Sequence, residues 1–299
     1  MKNAINYYYN IVPDVIHQTG KIYRFTTKDA SYILTPFNES NEINDIYELS
    51  ISLLKIGVPC HQIILNTSNQ VLTNINEISY VLMRIFIDVN KTITFNDVID
   101  FNYNINNEKS KLIRSDWFNL WTKKIDYFEY QVNQLGKKYP LIRESFSYFI
   151  GLAENAISLV KNNSVQTSLV VAHRRIKAND SFYELYNPLN LIIDSKVRNI
   201  TEYFKSAFLG NNIEDEINHY LYYANLSNSE TLLFFARMVF PTFYFDMYEK
   251  IINEDTKEEE LNLIIEKIND YEILISNLYN YFRSTMMFPD IEWLKKRTS

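Results

Sequence analysis

The chain has 299 residues, of which 46% are hydrophobic and 15% aromatic, so it has enough material for one large or two modest domains and is neither disordered nor fibrous. Its 30 basic and 36 acidic side chains give a net charge of −6, which argues against nucleic acid or an anionic membrane as the main partner. A single cysteine, Cys60, excludes an intrachain disulfide and a multi-thiolate metal site, and it is typical of a protein from a reducing cytoplasm.

The beginning of the sequence lacks the apolar run of a signal peptide. The most apolar stretch, residues 231–245, is shorter than a bilayer span and contains Arg237 and Pro241. We therefore expect a buried helix there, no membrane segment and a cytoplasmic protein.

Residues 1–86 are predicted to form a small sheet with one helix. Residues 21–37 alternate apolar and polar side chains around the turn-like sequence TKD, which predicts a β-hairpin. Residues 41–57 carry apolar side chains at helical spacing, begin with the capping-type Asn41 and end at a glycine, which predicts a helix. Short β-like runs follow at residues 61–65, 71–74 and 78–85.

The remainder, residues 87–299, is predicted to be mainly helical. Residues 107–136 place Trp117 and Trp121 at helical spacing, and we expect both rings to pack in the core. Helical patterns also cover residues 148–161 and the chain after residue 199. Two apolar runs, residues 165–172 and 189–193, predict brief strands on either side of a loop.

Several kinds of catalytic site are excluded by missing motifs. The four histidines have no paired metal-ligand spacing, and no GxSxG sequence is present. The five glycines are isolated, so neither common phosphate-binding glycine loop can be written. Cys60 beside His61 does not indicate an activated thiol, because adjacent strand residues point to opposite faces.

One segment has the layout of a catalytic centre. Residues 172–199 read AHRRIKANDSFYELYNPLNLIIDSKVRN: a strand, an HRx loop, an asparagine-containing strand that ends in aspartate, and a helix. This order resembles the protein-kinase-like fold of aminoglycoside and choline phosphotransferases. Residues 145–157, 188–208 and 237–252 resemble the YutH branch of the CotS-related bacterial spore-coat proteins.

The resemblance implies an α+β, two-lobed protein-kinase-like fold, with a β-rich N-lobe at residues 1–86, a hinge at residues 84–90 and a helical C-lobe at residues 87–299. It also implies roles for individual residues. His173 would hold the catalytic loop by hydrogen bonds, and Asp194 would take the place of the metal-binding aspartate. The other implied positions are Asn190 for a second metal, Thr35 where a strand lysine would hold the phosphates, and Glu48 as the partner of that lysine.

Three departures from the pattern favour a pseudokinase. Arg175 stands where a carboxylate would orient the acceptor hydroxyl, and a guanidinium cannot act as that base. No lysine occurs at residues 33–36, and no glycine-rich loop covers the site. We therefore expect a role in binding and assembly, with ATP and magnesium as ligands only if the nucleotide site is retained. If the source organism forms spores, the resemblance implies a coat-associated protein with coat proteins as partners.

Alternatives remain open for the function and for single residues. An unconventional ATP-dependent phosphotransferase would use Asp180 or Glu184 of the inserted segment, which we define as residues 176–189, as its carboxylate. A nucleotide sensor would bind without hydrolysing. Arg174 and Arg175 are either an anion-binding pair or ordinary surface arginines, and Asp194 either binds a metal or caps the following helix.

Overall fold

The computed structural model describes residues 1–87, 90–104, 109–135, 137–163 and 165–295, which form a small lobe with a sheet and a larger, mainly helical lobe. The predicted hinge at residues 84–90 includes residues 88 and 89, which lie outside the described residues. The lobe boundary at residue 86 stays a prediction.

The N-lobe contains an antiparallel sheet with the strand order β1-β2-β3-β6-β4, to which β5 adds by pairing with β6. The predicted hairpin is confirmed: Thr27 pairs with Ala30, so that Lys28 and Asp29 form a two-residue turn. The sequence patterns did not reveal α1 and β1. The elements of this lobe are α1 Lys2–Tyr9, β1 Val15–Thr19, β2 Ile22–Thr27, β3 Ala30–Pro36, α2 Ile43–Lys55, β4 Gln62–Ile64, β5 Thr73–Ile75 and β6 Ile78–Ile85.

The two faces of this sheet bury different sets of side chains, because successive strand residues point to opposite sides. On one face, Phe25 and Leu34 pack with Ile5 of α1 in a small core of their own. On the other face, Ile33 and Met83 belong to the large core that continues through α2 into the C-lobe. The second face therefore looks towards the space between the lobes.

Helix α2 connects this sheet to the C-lobe. The predicted helix is confirmed, and Gly57, with a φ of 82°, takes the left-handed conformation just beyond its end. The predicted capping role of Asn41 is wrong. The N-cap is Glu42, which makes no side-chain capping bond, because its carboxylate binds arginines of the C-lobe instead.

The C-lobe is built on helices around one hairpin of two strands. The prediction of a single helix over residues 231–245 is wrong: Pro241, which has no backbone N–H, separates α8 from α9. In the predicted helix at residues 107–136, both end residues lie outside the described part, and α4 begins only at Trp117. Trp117 and Trp121 are buried, as expected.

None of the helices described is both long enough and apolar enough to cross a bilayer. The elements are α3 Phe95–Asp100, α4 Trp117–Leu135, α5 Pro140–Asn162, β7 Leu169–His173, β8 Leu191–Ser195, α6 Arg198–Phe208, α7 Glu214–Tyr223, α8 Asn228–Val239, α9 Thr242–Ile252, α10 Asn262–Ile265, α11 Ile268–Thr285 and α12 Glu292–Lys295.

Candidate functional site

The candidate site is built on the hairpin of β7 and β8. The two predicted strands exist with shifted bounds, and they pair antiparallel with His173 opposite Leu191 and Val170 opposite Asp194. His173 therefore ends β7, whereas Asp194 lies inside β8. All five residues of β8 are buried, so its single carboxylate enters the core and needs compensating partners.

A cavity of about 500 Å³ opens beside this hairpin, between the lobes. Three residues predicted for the site, Arg175, Asn190 and Asp194, line it together. The other lining residues are mainly arginine and tryptophan. Such a lining is unusual for a metal site, because arginine carries the same sign of charge as the metal cation. The other lining residues are Glu39, Arg114, Trp117, Leu120, Trp121, Arg174, Ile192 and Arg198.

The carboxylate of Asp194 is fully buried and surrounded by donors. Its Oδ1 accepts hydrogen bonds from Arg237 Nη2 at 2.5 Å, Trp117 Nε1 at 2.8 Å and the backbone N–H of Ser195 at 2.6 Å. Its Oδ2 accepts one from Arg198 Nη1 at 3.0 Å. Both oxygens are thus held by positively charged groups of the chain itself.

Arg237 is the more buried of the two guanidinium groups, with 2% of its side chain exposed. It lies 5.8 Å from the ring centroids of both Trp117 and Trp121, a distance typical of cation–π contacts. Burial lowers the pKa of Arg237, and the charge of Asp194 opposes that shift. Asp194 and Arg237 therefore depend on each other as a buried ion pair.

This arrangement does not fit a divalent cation. Magnesium prefers carboxylate and carbonyl oxygens together with waters, and a cation beside Asp194 would meet two guanidinium charges. The described residues contain no cluster of three or more His, Cys, Asp or Glu side chains arranged to hold a metal. Asp194 as a metal ligand stays a prediction without support from the geometry.

His173 is fully buried and lies outside the lining of the cavity. Its backbone N–H donates to Asn199 Oδ1 at 2.9 Å, and its ring Nε2 lies 3.1 Å from the carbonyl oxygen of Leu185. Burial lowers the pKa of His173 to about 4, so the ring is neutral and Nε2 carries the proton that it donates to this carbonyl. These contacts favour the structural role expected for His173, because they tie the inserted segment to β7.

Arg175 and Asn190 are linked to each other. The Asn190 side chain accepts from the backbone N–H of Arg175 at 3.1 Å and donates to its carbonyl oxygen at 2.7 Å. The guanidinium of Arg175 reaches Asp246 of α9, with Nη2 and Oδ1 3.1 Å apart. The amide of Asn190 is thus used to hold the loop, and the position expected for a catalytic base carries a cation paired with a carboxylate.

Thr35 and Glu48 lie on different elements, β3 and α2, and no hydrogen bond joins them among the residues described. Thr35 is half-buried on β3, opposite Val81 of β6. Glu48 is exposed on α2, outside the row of buried residues with which that helix packs. Neither lines the cavity, so the phosphate-binding role given to them stays a prediction.

Ion pairs at the start of α2 join the two lobes. Glu42 Oε2 lies 2.5 Å from Arg174 Nη2, and Glu42 Oε1 lies 2.7 Å from Arg114 Nη2. Arg174 Nη1 also pairs with Glu39, whose side chain is 54% exposed. Asp45 adds contacts by accepting from the hydroxyl of Ser110 and the backbone N–H of Lys111.

The inserted segment packs between the lobes. The ring of Tyr183, a buried residue, stacks on His61 with centroids 4.3 Å apart and lies 5.4 Å from the guanidinium carbon of Arg24 on β2. His61 Nδ1 accepts from the backbone N–H of Phe86, so its Nε2 donates to the Tyr183 carbonyl oxygen at 3.2 Å. The segment also forms backbone bonds with residues 91 and 93 before α3. It therefore binds both lobes at once.

Asp180 and Glu184 are on this segment but away from the cavity. Asp180 Oδ2 accepts from the backbone N–H of Lys177, and Glu184 Oε2 accepts from the side chain of Asn187. Burial raises the pKa of both carboxyl groups. Their bonds are local, and no contact brings either one to Asp194.

A family model described as "Spore coat putative kinase YutH" matches residues 2–278. The chain belongs to the spore coat YutH family. A similar curated protein, the endospore coat-associated protein YutH of Bacillus subtilis (strain 168), is 26% identical over 211 residues. That match covers 61% of this chain and 62% of the relative, which is less than two thirds of the relative's length.

Solved structures confirm the kinase-like fold predicted for this YutH family member. An aminoglycoside phosphotransferase from Alicyclobacillus acidocaldarius superimposes with a TM-score of 0.63 at 10% identity, covering 94% of this chain and 96% of that chain. An AMP-bound spectinomycin phosphotransferase superimposes with a TM-score of 0.59 at 12% identity, covering 89% and 93% of the respective chains. At these identities the likeness shows the fold alone.

Some important residues of this YutH-type site were not identified from the sequence. Arg237 stands alone in the apolar run TLLFFARMVF, and a buried arginine requires a buried carboxylate, so its presence there was a usable signal. Arg198 lies four residues after Asp194, at a spacing that allows pairing. Glu39 and Glu42 gave no comparable signal, because their arginine partners are between 72 and 135 residues away.

Proposed function

We propose that this member of the spore coat YutH family is a pseudokinase, which acts in the coat by binding protein partners and does not transfer phosphate. The observation that carries the proposal is the enclosure of Asp194 by the guanidinium groups of Arg198 and Arg237. Phosphoryl transfer in kinase-like folds needs an aspartate that is free to hold magnesium against the phosphates. Here that carboxylate is already neutralised from within the protein.

The residue at the loop position expected for the catalytic base supports the same proposal. Arg175 cannot accept a proton, and its guanidinium is engaged with Asp246. A positioned general base contributes about 10²- to 10⁴-fold to a rate, so its loss alone removes much of the activity. Asp180 and Glu184, the two carboxylates considered as replacements, do not line the cavity.

The packing of the inserted segment is a third support. In a kinase-like fold the nucleotide lies between the N-lobe sheet and the C-lobe, with its phosphates under the strands of the sheet. Tyr183 is buried between the sheet and the C-lobe here, stacked on His61 and beside Arg24. A nucleotide that entered between the sheet and the inserted segment would have to displace this ring and the backbone bonds of the segment.

Thermal melting with ATP and magnesium tests the absence of a nucleotide site. A ligand at 100 times its dissociation constant stabilises a protein by about 2.7 kcal/mol, which is an easily measured shift. We expect no magnesium-dependent rise at millimolar ATP and no release of ADP. A rise that is lost in Asp194→Asn, or turnover that is lost in Asp180→Asn or Glu184→Gln, contradicts the proposal and favours a sensor or a phosphotransferase.

The coat role rests on the family and on the name of the Bacillus subtilis relative, which describes a coat-associated protein. In a sporulating host, we expect a tagged copy of the chain to fractionate with the spore coat and to cross-link to coat proteins. Recovery of the chain only outside the coat would contradict this part of the proposal.

A further inference from the structure

We propose that the arginine-lined cavity binds an oxyanion, a phosphate or carboxylate group, without a divalent cation, and that Glu39 is an internal anion which this ligand displaces. The inference rests on the proposed function, because it assigns a ligand class to the cavity of a protein that does not use magnesium there. The inference is based on the charged residues that line the cavity and on the hydrogen bonds and ion pairs that these residues make.

Four arginines line the cavity, against two carboxylates, in a protein whose net charge is −6. Glu42 and Asp246, which are not part of the lining, pair with three of these arginines. Of the two carboxylates, Asp194 is already neutralised by Arg198 and Arg237, so it offers little repulsion to an incoming anion. Planar guanidinium groups donate in pairs to phosphate and carboxylate oxygens, and this geometry makes arginine the usual residue for binding them. The cavity is therefore suited to an anion where a metal does not fit.

The arginines are held in place before any ligand arrives. Arg198 donates through Nε to the carbonyl oxygen of His173 at 2.8 Å and through Nη2 to that of Arg174 at 2.8 Å. Arg114 is held in a similar way by two backbone carbonyl groups of its own loop. The apolar walls formed by Trp117 and Trp121 reduce the screening of these charges by water. Such fixed donors bind an anion without a large cost in side-chain ordering.

Glu39 differs from the other carboxylates that pair with these arginines. Its side chain is 54% exposed and lies before α2, outside any helix or strand. Glu42, by contrast, is 21% exposed and is shared by Arg114 and Arg174. An exposed ion pair contributes little to the stability of a protein, so Glu39 can leave Arg174 at little cost while Glu42 remains. The vacated Nη1 of Arg174 then donates to the ligand.

Isothermal titration calorimetry of the full chain, in EDTA, tests the proposal with two probes: inorganic pyrophosphate and citrate. Glu39→Gln should tighten binding about two- to fivefold, since it removes the competing anion, and Arg174→Gln should weaken it at least about tenfold. Glu144→Gln and Arg143→Gln, changed at exposed positions of α5, are the matched controls and should leave binding unchanged. Binding should also weaken with added salt.

The two probes distinguish the sources of the anion: binding of pyrophosphate alone indicates a phosphate ligand, and binding of citrate alone indicates clustered carboxylates, such as those of an acidic peptide. If Arg174→Gln does not fold, Glu39→Gln still decides, because the proposal requires an increase in affinity. No heat from either probe at millimolar concentration, or binding that Glu39→Gln leaves unchanged, overturns the inference but not the pseudokinase proposal. Binding that occurs only in a parallel titration with magnesium in place of EDTA, and that disappears in Asp194→Asn, overturns both.

Discussion

The buried pair of Asp194 and Arg237 should make this aspartate essential for stability. Asp194→Asn leaves Arg237, with 2% of its side chain exposed, as a buried cation without another ion pair among the described residues. Breaking a buried pair by removing one partner costs about 3–5 kcal/mol, because the remaining charge stays uncompensated. We expect the free energy of unfolding in urea to fall by about this amount, with an unchanged denaturant slope.

A double-mutant cycle separates this pair from a general effect on packing. Arg237→Met places a flexible apolar side chain between Trp117 and Trp121, and in combination with Asp194→Asn it should recover at least about 2 kcal/mol of the loss. Asp126→Asn, changed at an exposed position of α4, should cost less than about 0.5 kcal/mol. An aspartate kept free for a metal would behave differently, since removing it usually leaves stability unchanged or raises it. A loss below about 1 kcal/mol for Asp194→Asn would refute the reasoning.

Three further predictions concern His173, Tyr183 and Glu42. The pKa of His173 is about 4 in the folded protein and near 6.5 in an unfolded chain, so the unfolded chain takes up the proton first as the pH falls. The free energy of unfolding is therefore highest above pH 6.5 and decreases by up to about 3 kcal/mol as the pH falls towards 4. Urea midpoints between pH 7 and 4.5 should therefore fall less steeply for His173→Gln than for the wild type, and equal slopes would rule out this titration. Tyr183→Ala should lower the free energy of unfolding by about 3 kcal/mol, because the buried ring and its stacking on His61 are lost. The control Tyr222→Ala, at a side chain that is 79% exposed, should lower it by less than about 0.5 kcal/mol. Equal losses for the two variants would show that the inserted segment does not join the lobes. Glu42→Gln should speed hydrogen exchange of the amides at residues 110–114, which face α2 across the lobes, and the matched variant Glu48→Gln on the same helix should not.

The parts of the fold that local chemistry determines were predictable from the sequence. The hairpin of β2 and β3 follows from alternation around a two-residue turn, and α2 follows from its apolar spacing and the glycine after its end. Strand β1 was missed because it is an exposed edge strand and its side chains do not alternate between buried and exposed. The failed cap at Asn41 has a tertiary cause, since the helix begins where Glu42 meets Arg114 and Arg174.

The candidate site was predictable only in part. The order of motifs placed Arg175, Asn190 and Asp194 together, and they do line one cavity. Their partners could not be chosen from the sequence, because Arg237 is 43 residues from Asp194 and the chain contains 30 lysines and arginines, each able to pair with an aspartate. Long-range ion pairs depend on how the helices pack, which composition and periodicity do not report.

The enclosure of Asp194 also bears on how this protein can evolve. Replacing Arg175 by aspartate would restore an acid to the loop but would set it against Asp246, which now neutralises the arginine. Removing Arg237 or Arg198 to free Asp194 for a metal would leave a carboxylate buried with fewer compensating charges. Each single step towards a working kinase therefore passes through a less stable protein. The pseudokinase proposed above would therefore need several coordinated substitutions to become a catalyst, and a single mutation would not make it one.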